Sequence, residues 1–174
     1  EYEKCIDPFT VATTGNTHAF RAYFNLGRAY GYLANRETAI ENYSQAIQLN
    51  SDHRNSYINR GIQRARLGHH GKAIEDYTKA VNLRPDLPDA FRNRGYSYRE
   101  QNLHEKAIDD YEESLRIKPE DPITRRLLAY SQAQIGLHKE AIDNYEGAIN
   151  LGLSNETIFR EKGFSHIEVS EYQA

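Results

Sequence analysis

GIQRARLGHHGKAIEDYTKAVNLRP at residues 61–85 and GYSYREQNLHEKAIDDYEESLRIKP at residues 95–119 are two versions of one pattern, 34 positions apart. Gly61 answers to Gly95, Ala73-Ile74 to Ala107-Ile108, Tyr77 to Tyr111 and Pro85 to Pro119. Outward from these stretches the columns continue with no insertion or deletion. The glycine column starts at Gly27 and runs on through Ala129 to Gly163. Ala39-Ile40 and Ala141-Ile142 extend the Ala-Ile column, and Tyr43 and Tyr145 extend the tyrosine column. Ala46, Ala80, Ser114 and Ala148 form a fourth. Self-similarity at a fixed period of roughly 20–50 residues is the mark of a stacked repeat array.

Each column has a physical reading. Ala39, Tyr43 and Ala46 recur at helical spacing and so share one helix face. Small residues at Gly27 and Ala39 let two helices approach closely, with the tyrosine ring filling the space beside them. Turn signals fall where helices must end: Leu67-Gly68 and Ile135-Gly136 inside the unit, Pro85 and Pro119 after it. One helix pair cannot bury its own apolar stripe, so neighbours must stack to bury it. The expected fold is an all-α, right-handed solenoid with a concave inner face and no β-sheet. Its helix pairs are expected at 20–34 and 37–50, 54–67 and 71–84, 88–101 and 105–118, and 122–135 and 139–151.

Composition narrows the function classes. The 174 residues are 39% hydrophobic and 27% charged, and no apolar run approaches the roughly 20 residues of a membrane span. A formal net charge of −3 argues against a nucleic-acid partner, since such domains are usually basic. One cysteine excludes an internal disulfide framework and fits a reducing, cytoplasmic setting. Methionine is absent, so the expectation is of a segment from a longer array, with the parent's targeting segments out of view.

The period and columns resemble the tetratricopeptide repeat, whose pattern is an aromatic, Leu-Gly, Tyr, Ala, an aromatic, Ala and Pro. Residues 54–87 supply Tyr57, Gly61, Ala73, Tyr77, Ala80 and Pro85; residues 88–121 supply Phe91, Gly95, Tyr98, Ala107, Tyr111 and Pro119. Arg60 and Arg94 depart from the pattern by replacing the Leu before Gly, and Arg125 replaces the first aromatic of the fourth repeat. The resemblance implies repeats at 20–53, 54–87, 88–121 and 122–155. Residues 1–19 read as the second helix of a preceding repeat plus a connector: Glu3-Lys4-Cys5-Ile6-Asp7 falls in register with Glu105–Asp109, although Pro8 costs a helix interior about 3 kcal/mol. Residues 156–174, with Phe159 and Gly163, read as the first helix of a further repeat.

The candidates for chemistry are weak. His70, His104 and His138 occupy equivalent turns, but stacked helices stand about 8–10 Å apart whereas zinc ligands sit at about 2 Å from the metal. No metal or cofactor is expected, and the histidines read as exposed turn residues. Cys5 reads as a compact packing residue. Asp109-Asp110 and Glu112-Glu113 read as a solvated outer face, and the periodic tyrosines as core. Arg60 and Arg94 are expected to pair with Asp76 and Asp110 inside their own hairpins. No nucleophile elbow, phosphate loop or paired-cysteine motif appears, and the chain is not expected to be an enzyme.

The resemblance implies that first helices line the concave groove. Asn25, Asn59 and Asn93 then share one groove column, where amides offer both donors and acceptors to a peptide backbone. Such a row is similar to the asparagine ladder of the O-linked N-acetylglucosamine transferases, although Leu127 and Glu161 end it; the alternative is that these residues merely solvate their helices. Arg21, Arg28, Arg66, Arg92, Arg99 and Arg126 fall in other groove columns, among Phe24, Ile58, Ile62, Tyr96 and Tyr130. Arginine beside aromatics suits carboxylate recognition with apolar pockets. The carboxylate clamp that grips heat-shock chaperones is not expected, because its positions read Phe24, Arg28, Asn59, Asp89 and Asn93 and only Asn59 fits. The expected function is a protein-interaction scaffold for an extended, acidic peptide segment. The alternatives are a structural or self-assembling piece of a longer superhelix, with self-association through uncapped ends, and a substrate-recruiting array of a larger enzyme.

Overall fold

The computed structural model of the chain describes residues 19–171. Among the described residues all regular structure is helical, and no strand is present. Helices α1 (Ala19–Tyr32) and α2 (Arg36–Leu49) form the first hairpin, and α3 (Arg54–Arg66) and α4 (His70–Leu83) the second. They are followed by α5 (Pro88–Arg99) with α6 (His104–Ile117), α7 (Pro122–Gln134) with α8 (His138–Asn150), and α9 (Glu156–Glu171). These ends lie within a residue or two of the expected ones. The expected second helix at the start of the chain, with Cys5 and Pro8, lies outside the described residues. The chain divides into two compact units, Glu1–Pro85 and Asp86–Ala174.

The hairpin turns are set by one residue in the left-handed region. Gly68 and Gly136 adopt it at φ 77° and 83°, and Ala34 and Asn102 adopt it at 59° and 58° in the equivalent positions. The next amide then reaches back to the fifth preceding carbonyl, as Asn35 N–H to Tyr30 O at 2.9 Å and His69 N–H to Arg64 O at 2.9 Å. Leu103 and Leu137 repeat the bond to Tyr98 and Gln132 at 3.0 and 2.9 Å. This is the Schellman closure, which satisfies carbonyls left open at a helix end. Helix starts are fixed by Pro88 and Pro122 in the first turn, where a missing N–H costs nothing. Asp121 caps α7 by accepting from the Ile123 and Thr124 amides at 3.0 and 3.2 Å.

The tyrosine column is the core. Tyr43, Tyr77, Tyr111 and Tyr145 are at most 2% exposed, and burial raises each phenol above its ordinary range. A Cβ placed on Gly27, Gly61 or Gly95 would lie 2.7–2.8 Å from the ring of Tyr43, Tyr77 or Tyr111. The glycine therefore sets how closely the two helices of a hairpin approach. Ile158 of α9 is fully buried with Tyr145 and Ala141, whereas Phe159, Phe164 and Ile167 are 51%, 63% and 53% exposed. Among the described residues nothing lies within 4 Å of the position a Cβ on Gly163 would take.

The arginines that replace leucine before glycine close their own hairpins. Arg60 donates to both oxygens of the buried Asp76, from Nη2 to Oδ1 at 2.7 Å and from Nε to Oδ2 at 3.1 Å. Arg64 adds a bond to Asp76 Oδ2 at 2.8 Å, and Arg60 Nη1 reaches Ser44 Oγ at 2.9 Å. Arg94 grips Asp110 in the same two-point way, at 2.7 and 2.8 Å. Asp110 is thus a buried structural anion, which corrects the expectation of a solvated Asp109-Asp110 pair. The histidines also differ from expectation: His70, His104 and His138 are the first residues of α4, α6 and α8 and are half-buried.

Candidate functional site

In the first unit, α1 and α3 converge on a polar cavity of about 170 Å³. Arg28, Gly31 and Tyr32 line it from α1, Asn59, Ile62, Gln63 and Arg66 from α3, and Tyr43 closes it from α2. Arg28 and Arg66 are exposed and have no carboxylate partner among the described residues; the Arg28 guanidinium stands 5.9 Å from the Phe24 ring centroid. Gln63 is 6% exposed, and its buried Oε1 accepts no hydrogen bond among the described residues. Of the residues expected to hold a peptide, Arg28, Asn59, Ile62 and Arg66 meet here. Sequence reading passed over Gly31 and Gln63.

The other expected residues of this unit are arranged differently. Asn25 and Asn59 are half-buried on α1 and α3, and their amides make no hydrogen bond among the described residues. Arg21 is exposed over the Phe20 ring at 5.6 Å, and Ile58 is half-buried. Phe24 was expected to line a ligand pocket, but it packs inward, its ring 5.9 Å from Tyr43 and 4.8 Å from His53. The His53 ring nitrogen shares a 2.7 Å hydrogen bond with Ser56 Oγ, and burial followed by Arg54 and Arg21 lowers its pKa.

In the second unit the expected cations are already engaged. Arg92 bridges Asp121 at 2.8 Å and Asp89 at 2.7 Å. Arg99 pairs with Glu100 and lies over two rings, 4.5 Å from the Tyr96 centroid and 5.4 Å from that of Tyr130. Arg126 faces Glu161 at 3.5 Å; burial pushes the Glu161 carboxyl up while Arg126 and Arg160 pull it back. This corrects the expectation of open positive charge at Arg92, Arg99 and Arg126. Asn93 is half-buried, with no side-chain partner among the described residues. A second polar cavity of about 240 Å³ is lined by Arg99, Glu100, Asn102, His104, Tyr130 and Gln134. Among the described residues no group of three His, Cys, Asp or Glu side chains is placed to hold a metal, and no helix is long and apolar enough to cross a membrane.

Repeated helix hairpins, closed by one type of turn and cored by one tyrosine column, define an all-α repeat solenoid. Models of the tetratricopeptide repeat match residues 20–53 and 88–121, and one described as a TPR repeat matches residues 63–102. The chain belongs to the tetratricopeptide repeat family. A crystal structure of MamA superposes with a TM-score of 0.82, at 21% identity over 86% of this chain and 88% of that one. A crystal structure of YrrB, described as a TPR protein with an unusual peptide-binding site, has a TM-score of 0.84 at 18% identity over 93% and 84%. MamA from Desulfovibrio magneticus RS-1 gives 0.81 at 16% identity over 89% and 88%. At these identities the likeness is one of fold. No curated protein matches the sequence.

Proposed function

We propose that the chain is a protein-interaction scaffold that holds an extended, acidic peptide segment against its first helices. The observation that carries this reading is the open charge of the first unit: Arg21, Arg28 and Arg66 have no acidic partner among the described residues, although the whole chain has a net charge of −3. Exposed cations kept free of internal acids are available to a ligand's carboxylates, and an arginine fork binds a carboxylate at two points. The amides of Asn25, Asn59 and Asn93 supply donors and acceptors that suit a peptide backbone of any sequence. YrrB, described as a peptide-binding TPR protein, supports the same class of role. The test is a titration of the chain with extended peptides of acidic, neutral and basic composition at two salt concentrations. The acidic series is expected to bind most tightly and to weaken with salt. Equal affinity for all three series would remove the acidic preference.

A second reading rests on α9. Phe159, Phe164 and Ile167 are exposed, and among the described residues Gly163 lacks the aromatic cover that Gly27, Gly61 and Gly95 have. Such a face suits self-association between copies. Sedimentation at rising concentration tests it: Phe164→Glu is expected to suppress any dimer formed by the parent chain, and a parent that stays monomeric throughout removes the reading.

A further inference from the structure

Three departures from the repeat pattern fall in one place. In the column of Arg28 the following repeats carry Ile62, Tyr96 and Tyr130. In the column of Gly31 they carry Ala65, Arg99 and Ala133, and in that of Gln63 the later repeats carry Ser97, Ser131 and Ser165. Those three serines are fully buried, so a glutamine there has to find room elsewhere. Gly31 provides it. A Cβ on Gly31 would stand 3.0 Å from Gln63 Nε2 and 3.8 Å from the Tyr43 hydroxyl. The missing methyl of one repeat and the added amide of the next are matched, and the result is the cavity between α1 and α3.

That cavity carries two unmet demands. Among the described residues, Arg28 and Arg66 border it without a carboxylate partner, and Gln63 Oε1 is buried without a donor. Buried polar groups are nearly always hydrogen-bonded in native proteins, and an exception asks for a cause. A ligand that meets both demands needs an anion for the guanidinium groups and an N–H for the amide oxygen. An acidic residue within a peptide has both, in its side-chain carboxylate and its own main-chain amide. The size agrees: about 170 Å³ compares with the roughly 150 Å³ of a cavity that takes benzene, and a glutamate side chain has nearly as many heavy atoms.

We infer that the cavity formed by Arg28, Gly31, Asn59, Gln63 and Arg66 is the receptor for one internal acidic side chain, glutamate or aspartate, of the bound segment. The inference rests on the scaffold reading and fixes where its acidic preference is decided. Gly31 acts by leaving space, Gln63 by accepting the peptide N–H, and the two arginines by holding the carboxylate.

The experiment is a nuclear magnetic resonance titration of the isotope-labelled chain, read at the Gln63 side-chain amide. The probe is a short Gly/Ser peptide with both ends capped and one central glutamate. Three relatives serve as controls: glutamine in place of glutamate, glutamine with a free terminal carboxylate, and phosphoserine. The capped glutamate peptide is expected to shift the Gln63 amide saturably, and the capped glutamine peptide to bind roughly tenfold more weakly, the scale of one lost charge-assisted bond. The terminal-carboxylate peptide, whose anion is not on a side chain beside its own main-chain N–H, and the phosphoserine peptide, whose tetrahedral head is bulkier than a carboxylate, are expected to bind more weakly than glutamate. Gly31→Ala is expected to weaken binding, because its methyl would press on the Gln63 amide from 3.0 Å, while keeping the helix content of the parent, because Ala65 and Ala133 occupy the same helical column. Arg66→Ala is expected to weaken binding with the fold intact. A Gln63 amide that ignores the glutamate peptide, a glutamine, terminal-carboxylate or phosphoserine peptide that binds as well or better, or unchanged binding to Gly31→Ala would each overturn the inference. If acidic peptides shift Asn25 and the outer residues of α1 and α3 but leave Gln63 still, the cavity assignment falls and the scaffold reading stands. If no residue responds to any acidic peptide, both fall.

Discussion

Ala34 is held at φ 59° in a turn whose counterparts Gly68 and Gly136 meet the same demand without a Cβ. The left-handed conformation costs an L-residue roughly 1–2 kcal/mol. Glycine removes that strain but adds about 0.4–1 kcal/mol of unfolded-state entropy to be lost on folding. The balance favours glycine, so Ala34→Gly is expected to stabilise the chain by roughly 0.5–1 kcal/mol. Urea denaturation of parent and variant measures this, and a lower midpoint for the variant contradicts it. Ala34 also marks a limit of sequence reading. Alanine gives no turn signal, so the column Ala34, Gly68, Asn102, Gly136 was visible at its two glycines only. Gly31 and Gln63 give no signal for a related reason: matching columns define the scaffold, whereas this cavity is built from the mismatches.

At the level of the helix, Asp121 concentrates several roles in one carboxylate. It caps α7 through two backbone amides, accepts from the Thr124 hydroxyl at 3.0 Å, and receives Arg92 at 2.8 Å. Burial alone pushes its carboxyl up, but the Thr124 amide and hydroxyl and the Arg92 guanidinium outweigh it, and the net direction is down. A depressed folded value means that the unfolded chain takes up the proton first as pH falls. The stabilisation is therefore complete above the ordinary carboxylate value near 4 and is lost as pH drops through the lower folded value. Asp121→Asn keeps a cap acceptor and removes the charge. It is expected to be about 1.5 kcal/mol less stable than the parent at pH 7, the low end for a bond to a charged group. The gap between the two denaturation midpoints is expected to close as pH falls through the lowered folded value of Asp121. A gap that is constant with pH would mean that the charge of Asp121 contributes nothing. The helices themselves were legible from their 3.6-residue periodicity, and the Arg60–Asp76 and Arg94–Asp110 pairs from their place within one hairpin. The Arg92–Asp121 pair joins α5 to the cap of α7, between successive hairpins, and no local pattern announces it.

For the molecule as a binder, the division of charge changes which arginines matter. From sequence alone the six groove arginines are equivalent, because columns locate a side chain without naming its neighbours. Among the described residues Arg28 and Arg66 have no acidic partner, whereas Arg92 and Arg126 are held by Asp89, Asp121 and Glu161. A carboxylate ligand gains from an unpaired cation directly, but must displace an internal acid to use a paired one. Arg28→Ala and Arg66→Ala are therefore expected to weaken an acidic peptide by about 1.5 kcal/mol each, roughly tenfold, the low end for charge-assisted bonds at an exposed site. Arg126→Ala is expected to change affinity much less, and Arg92→Ala to act on stability through Asp121. Asn59→Ala is expected to weaken acidic and neutral peptides alike, since backbone contacts do not depend on the ligand's side chains. Salt separates the two kinds of contact: exposed charge is screened over a Debye length of about 8 Å at physiological ionic strength, while amide contacts are not. Calorimetric titration of the parent and these variants, each at low and high salt, measures the set. Raised salt is expected to bring the affinity of the parent down towards that of Arg28→Ala and Arg66→Ala, and to leave the gap between the parent and Asn59→Ala in place. Losses for Arg92→Ala and Arg126→Ala that equal those for Arg28→Ala and Arg66→Ala would show that internal pairing does not govern the site, and would return all six arginines to the equivalence read from the sequence.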